Sequence, residues 1–303
     1  MIDLVVVKTG DGRQLAVEVS GARDGFPVFL LHGTPGSKSG PRPRPIALYR
    51  MGVRLISYDR PGYGDSTRQR GRRVIDAAQD VKAIAEHLQI DRFAVVGRSG
   101  GGPHALACAA ALGDRVIRTV VLVGLAPAAA PGLDWFEGMA PSNVDEYGEA
   151  DADLAALMET LRNRTADALA DPDSMLRFLA PQMSAPDRRV IDDVTIRRLL
   201  HETYREALQR GPEGWIDDAL AFRKHWGFEL SEVKSPVRLW HGADDTFSPE
   251  SHSRWLESQL HDAEAEIQPD AGHFGAMEIL PRILAWVVGQ GTETTAHAPA
   301  TAR

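Results

Sequence analysis

Five short apolar runs set the strongest limit on this fold: PVFLLHG (27–33), VRLISYD (53–59), FAVVG (93–97), TVVLVG (119–124) and VRLWHG (237–242). A strand with one wet face alternates apolar and polar residues. These runs do not, so they read as strands buried on both faces, the habit of a parallel sheet covered by helices. Helical patterns lie between them. In VIDAAQDVKAIAEHL, Ala77, Val81, Ile84 and Leu88 share one face, and Asp76, Asp80 and Glu86 lie off it. PHALACAAAL carries Pro103 in its first turn, where a missing N–H costs little. PRILAWVV supplies a late helix. Strands alternating with helices predict a right-handed α/β sandwich. At the start, LVVVK and QLAVEV flank TGDG and predict a hairpin.

The alternation stops after Gly124. From Pro127 to Ser231 no strand pattern is found, whereas DLAALMETLRNRTADAL, DSMLRFLA, VTIRRLLHETYREALQ and GWIDDALAFRKHW read as helices. The expected organisation is a core of 1–126 and 232–289 interrupted by a helical insertion, 127–231, long enough to cover a pocket. The final stretch, 290–303, is small and polar and is expected to be a disordered tail.

Among 303 residues the net charge is −8, which argues against nucleic acid or an anionic membrane as partner. The one cysteine, Cys108, allows no intramolecular disulfide and fits a cytoplasmic location; it reads as a small packing residue on a helix. No run of 18 apolar residues exists, so no membrane span is expected. The N-terminal stretch reads as a hairpin rather than a signal peptide.

The chemistry centres on Gly97-Arg98-Ser99-Gly100-Gly101, a G-x-S-x-G between a strand and a helix. Glycines on both sides let strand and helix approach while a sharp turn presents Ser99. A phosphate loop would need a following Lys, and none is there. A serine hydroxyl needs a base. Of ten histidines, His273 stands in a loop after the strand-like AEAEIQP and before the last helix, where catalytic groups collect in open α/β sheets. His32 and His241 precede Gly at strand ends and read as shaping backbone; His104, five residues after Ser99 on a helix, reads as pointing elsewhere. An acid must fix the base's tautomer, and WHGADDTFSP offers Asp244 or Asp245.

At this point the chain resembles the α/β-hydrolase family, in the capped group that includes esterases, C–C hydrolases and proline iminopeptidases. That group often carries H-G-x-x-D-x-x-x-P, and Pro249 then selects Asp245. The order Ser99, Asp245, His273 is that of the fold. LLHGTPGS resembles the segment after the third strand, which implies an oxyanion hole from the backbone N–H groups of Thr34 and Gly100. SYDRPGYGDS resembles a structural loop in which Asp59 and Ser66 hold a turn. The resemblance implies an eight-stranded, mostly parallel sheet with a helical cap, and it covers about 1–126 and 232–289. It hardly reaches the insertion. There, Trp135, Phe136, Met139 and Met158 either line a substrate pocket or pack the insertion down, and Asp145, Glu146 and Glu149 either meet a substrate amine or are simply solvated, the second being the better reading. His32 and Arg98 are further pocket candidates; Arg98 faces either substrate or a neighbouring carboxylate.

The expectation is a serine hydrolase cleaving a carboxylic ester of a small to medium substrate, with no metal or organic cofactor. Dehalogenases and epoxide hydrolases of the fold use aspartate where this chain has Ser99. Proline iminopeptidases usually show G-G-S-W-G and H-G-G-P-G, and this chain has GRSGG and HGTPG. Aminopeptidase and C–C hydrolase stand as alternatives, as do a lyase or a ligand receptor. The partner expected is a small molecule, and either a monomer or a homodimer is compatible.

Overall fold

A computed structural model describes residues 2–289. The tail expected at 290–303 lies outside the described residues. Strands β1 (Ile2–Lys8) and β2 (Gln14–Gly21) form the predicted hairpin. Then follow β3 (Phe26–Leu31), α1 (Pro45–Arg50), β4 (Val53–Tyr58), α2 (Ala77–His87), β5 (Phe93–Arg98), α3 (Gly101–Leu112) and β6 (Val116–Leu122). Six helices come next without a strand: α4 (Pro141–Ala152), α5 (Leu154–Ala170), α6 (Ser174–Leu179), α7 (Ala185–Ile191), α8 (Val194–Leu208) and α9 (Glu213–Arg223). The chain returns with β7 (Val237–Gly242), α10 (Ser251–Gln259), β8 (Ala263–Gln268), α11 (Gly275–Glu278) and α12 (Leu280–Val287).

The eight strands form one sheet in the order β1-β2-β4-β3-β5-β6-β7-β8. Only β1–β2 and β2–β4 pair antiparallel; β4 through β8 run parallel. The reason the central runs lack alternation is visible in the core. Phe29, Leu31, Val95, Val121 and Leu239 pack on the side of α2 and α3. Their chain neighbours Val28, Leu30, Val96, Val120 and Trp240 pack against Leu280, Ile283, Leu284 and Val287 of α12. Both faces are dry, so both must be apolar.

The helical stretch contains elements that periodicity missed. Helix α4 has no apolar stripe; Pro141 in its first turn is its main sequence signal. Helix α7 starts at Ser184, whose side chain accepts the Asp187 N–H. Helix α9 ends at Arg223, earlier than the predicted pattern reaching Trp226.

Candidate active site

The carboxyl ends of β3, β5, β7 and β8 converge at one edge of the sheet, where open α/β folds bind ligands. Ser99 is the hinge between β5 and α3. Its φ is +52°, left-handed for a non-glycine residue. Such strain costs about 1–3 kcal/mol and persists only where the surroundings impose it. Here the Ser99 N–H donates to the Leu122 carbonyl at 2.8 Å, and its carbonyl accepts the Gly102 N–H at 2.8 Å. A Cβ on Gly97 would overlap the Gly101 backbone. The extra glycine beyond the motif is also explained: a Cβ on Gly102 would come within 2.8 Å of Val121 Cγ1 and 3.2 Å of the Gly124 Cα, so it lets α3 settle on β6.

Ser99 Oγ lies 3.0 Å from His273 Nε2, and His273 Nδ1 lies 2.8 Å from Asp245 Oδ2. With Nδ1–H given to the carboxylate, Nε2 is the acceptor of the serine hydroxyl. Asp245 also accepts the N–H groups of Phe247 at 2.8 Å and Ser248 at 3.0 Å. His241, in β7, bonds Ser253 Oγ at 2.7 Å and the Ser248 carbonyl at 2.5 Å, which shapes the loop carrying Asp245. Asp244, next door, is exposed. Burial opposes charge on Asp245, yet His273 and His241 hold its carboxyl far below the ordinary range. Burial pulls the His273 pKa down, but the Asp245 carboxylate outweighs it and leaves the imidazole more basic than usual.

A second carboxylate reaches this loop from the helical stretch. Asp187 of α7 is fully buried, and its Oδ1 accepts the Phe274 N–H at 2.7 Å. A Cβ on Gly272 would sit 2.5 Å from the Asp187 Cγ, so the loop needs glycine there. Burial raises the Asp187 pKa and His273 counteracts it, and its charge in turn raises that of His273. The sequence marks Asp187 only as part of a helix start, S-A-P-D; its reach to residue 273 is tertiary.

Thr34 and Gly100 face each other across the site: a Cβ on Gly100 would come within 2.9 Å of the Thr34 Cβ. Neither backbone N–H is taken by a hydrogen bond among the described residues. The Thr34 loop is clamped by a buried ionic cluster. Asp218 of α9 accepts Thr34 Oγ1–H at 2.7 Å, Tyr63 O–H at 2.8 Å, Arg60 at 2.5 Å and Arg72 at 2.5 Å. Arg60 also donates to the carbonyls of His32 and Gly33. Burial disfavours the Asp218 carboxylate, but the two guanidiniums hold its pKa well below the ordinary value. Breaking one partner of such a cluster leaves the others charged and dry. Asp218→Asn is therefore expected to cost about 3–5 kcal/mol, read as a lower denaturant midpoint with an unchanged slope.

Two cavities include Ser99 and His273 in their walls. One is lined by Tyr147, Phe178, Trp215 and Phe247 with the Glu146–Arg164 pair. The other is lined by Arg98, Leu200, Thr203, Tyr204 and Met277. Neither is lined by His32, Trp135, Phe136 or Met139. His32 is buried, bonding the Gly33 carbonyl and accepting the Arg60 N–H. Trp135 donates to the Ala126 carbonyl and packs edge-on against Phe136, Tyr147 and His252, and Met139 is buried with them. Met158 packs against the same core. Glu146 is not solvated either. It is buried, bonded to Trp215 Nε1 at 2.8 Å and Arg164 at 3.2 Å, with its pKa pushed by burial to about 7. Asp59 accepts the Lys38 N–H, Lys38 Nζ and the Asp65 N–H, holding its loop, and Ser66 accepts the Ala16 N–H. His104 lies beneath the elbow, with Nδ1 2.7 Å from the Gly100 carbonyl. Cys108 is buried. No described helix is long and apolar enough to cross a membrane.

Residues 27–278 match the family model described as alpha/beta hydrolase fold. A proline iminopeptidase of Arabidopsis thaliana is 33% identical over 152 residues, 49% of this chain but only 40% of that protein. A bifunctional esterase/perhydrolase of Acinetobacter calcoaceticus is 26% identical, over 80% of this chain and 83% of the relative. Among solved structures, a bromoperoxidase from Bacillus anthracis superposes with a TM-score of 0.70 at 22% identity, covering 94% of this chain and 99% of that one.

Proposed function

We propose that this chain, which belongs to the alpha/beta hydrolase fold family, is a serine hydrolase that cleaves a carboxylic ester of a small to medium substrate. One observation carries the reading: the unbroken line Ser99 Oγ, His273, Asp245 at hydrogen-bond distance, with the serine in a left-handed turn beside two cavities. Ser99 Oγ attacks the ester carbonyl while His273 Nε2 takes its proton. The N–H groups of Thr34 and Gly100, with the start of α3, stabilise the oxyanion, each donor contributing about 10²–10³ in rate. The imidazolium, favoured by Asp245, returns the proton to the departing alcohol. Water, deprotonated by the same nitrogen, then releases the acid from Ser99. The helices from α4 to α9 serve as the cap that encloses the substrate.

The site supports an ester more than an N-terminal amine. The carboxylate that could meet an amine, Glu146, is already held by Arg164 and Trp215. The relative named as a bifunctional esterase/perhydrolase, matched over 83% of its length, supports the same reading. Labelling with a fluorophosphonate, followed by a panel of p-nitrophenyl esters of increasing acyl length, tests the reading. Covalent label at Ser99 and turnover of at least one ester are expected. Tight ligand binding with no label and no turnover would make the protein a receptor instead.

A pH profile probes the second carboxylate. The reactive imidazole is neutral, so kcat/KM falls as pH drops through the His273 pKa, which is raised above its ordinary value. Asp245 and Asp187 raise it, and burial and Arg98 lower it. Asp187→Asn keeps an oxygen for the Phe274 N–H but removes the charge. The acid limb is expected to move to lower pH by roughly half to one unit. An unmoved limb would assign Asp187 to loop structure alone.

A further inference from the structure

We propose that Arg98 and Tyr204 form a carboxylate-binding subsite beside Ser99, so that the preferred ester carries a free carboxylate elsewhere in the molecule. The inference rests on Ser99 being the nucleophile and adds the substrate class. Arg98 is the last residue of β5, adjoins Ser99 and lines one of the two cavities with Ser99 and His273. It is half-buried, yet no carboxylate among the described residues lies within 4.0 Å of it. Among the described residues its guanidinium makes one hydrogen bond, from Nη1 to the Pro41 carbonyl at 3.3 Å. Many other buried or half-buried arginines do meet a carboxylate: Arg13 meets Asp80, Arg42 meets Glu18, Arg60 and Arg72 meet Asp218, and Arg164 meets Glu146. Among the described residues Arg118 bonds only carbonyls and Arg54 meets no carboxylate, and neither of those two lines the Ser99 cavities.

The same wall holds a second donor. Tyr204 is a buried residue whose hydroxyl keeps contact with solvent and makes no hydrogen bond to protein among the described residues. Burial raises its pKa to about 12, so it remains a donor, and lowers that of Arg98 to about 10, the direction of an uncompensated cation. No Asp or Glu lines this cavity. The cavity on the other side of Ser99 has its charges closed into the Glu146–Arg164 pair. A half-buried guanidinium with no carboxylate and a phenol with no protein acceptor are both free to take one anionic oxygen group. One fixed positive charge matches a carboxylate; a phosphate dianion would leave excess negative charge facing Asp245 and Asp187. The reaction is then hydrolysis of a hemiester to a dicarboxylate, an alcohol and a proton, the carboxylate at Arg98 remaining a spectator.

The test compares kcat/KM for monomethyl adipate and methyl hexanoate in the wild-type protein, Arg98→Met, Arg98→Lys and Tyr204→Phe. Wild type is expected to favour the anionic ester. The anionic-to-neutral ratio is expected to fall by about 10–100-fold in Arg98→Met and less in Tyr204→Phe, with partial recovery in Arg98→Lys. A structural role would lower both esters together and leave the ratio in place, which overturns the proposal, as does a wild type that favours methyl hexanoate. Should Arg98→Met fail to fold, the ratio in Tyr204→Phe decides. If neither ester turns over, adipate is tested for slowing fluorophosphonate labelling: protection in wild type but not in Arg98→Met upholds the subsite, and no protection overturns it. If Ser99 takes no label at all, the nucleophile reading fails, and calorimetry of adipate on wild type and Arg98→Met still decides the subsite by itself.

Discussion

Replacing Ser99 by alanine is expected to cut kcat on the best ester by about 10⁴–10⁶-fold and to abolish fluorophosphonate labelling. The size follows from what disappears. Without Oγ no acyl-enzyme forms, and what remains is the polarisation of a carbonyl by the Thr34 and Gly100 N–H groups and the placing of a water. Alanine keeps the Cβ that Ser99 already carries at φ +52°, so the strain of the turn is unchanged and thermal stability should hold. His273→Ala belongs with it and should lose a similar factor, because the two residues act as one unit rather than as additive contributions. Near-normal turnover by Ser99→Ala would remove the mechanism altogether. A lyase using the same three groups as acid and base would survive as an alternative only if turnover occurs without a trapped acyl-enzyme.

Asp245→Asn is expected to lower kcat by about 10⁴-fold with little change in KM. The carboxylate accepts from His273 Nδ1, and an amide nitrogen placed there would favour the opposite tautomer, which leaves Nε2 protonated and unable to take the serine proton. Asp244→Asn, on an exposed neighbour, should stay within about twofold of wild type, as surface changes do. The reverse order would mean the wrong acid. The pair matters because the two aspartates are adjacent and chemically identical in sequence. Only the turn after β7, with the Phe247 and Ser248 N–H groups gathered on one of them, separates their surroundings.

Much of the frame was legible because it rests on local chemistry. Strands dry on both faces must be continuous apolar runs, and a serine on a sharp turn must be flanked by residues that allow strand and helix to touch. The helical region was less so. Helix α4 has no apolar stripe to detect, yet it supplies Glu146. The aromatic cluster around Trp135 looked as much like a pocket as like packing, since both use the same side chains; the structure puts it in the packing. Charge misled in the same way. Glu146 reads as solvated from its neighbours Asp145 and Glu149, and it is buried because Arg164, eighteen residues on, folds back to meet it.

The sequence by itself determined a mostly parallel α/β sheet, the turn that carries Ser99, and the short set of groups from which a base and an acid could come. Periodicity, glycine placement and strand-end position are properties of neighbouring residues, so one chain suffices to read them. The tertiary structure alone decided that Asp187 and Asp218, from helices far along the chain, hold the His273 and Thr34 loops. It also decided that Arg98 has no carboxylate while most of its buried counterparts do. Those facts depend on which distant side chains share a desolvated space, and the cost of an unpaired charge is set by that space rather than by the residue's neighbours in sequence.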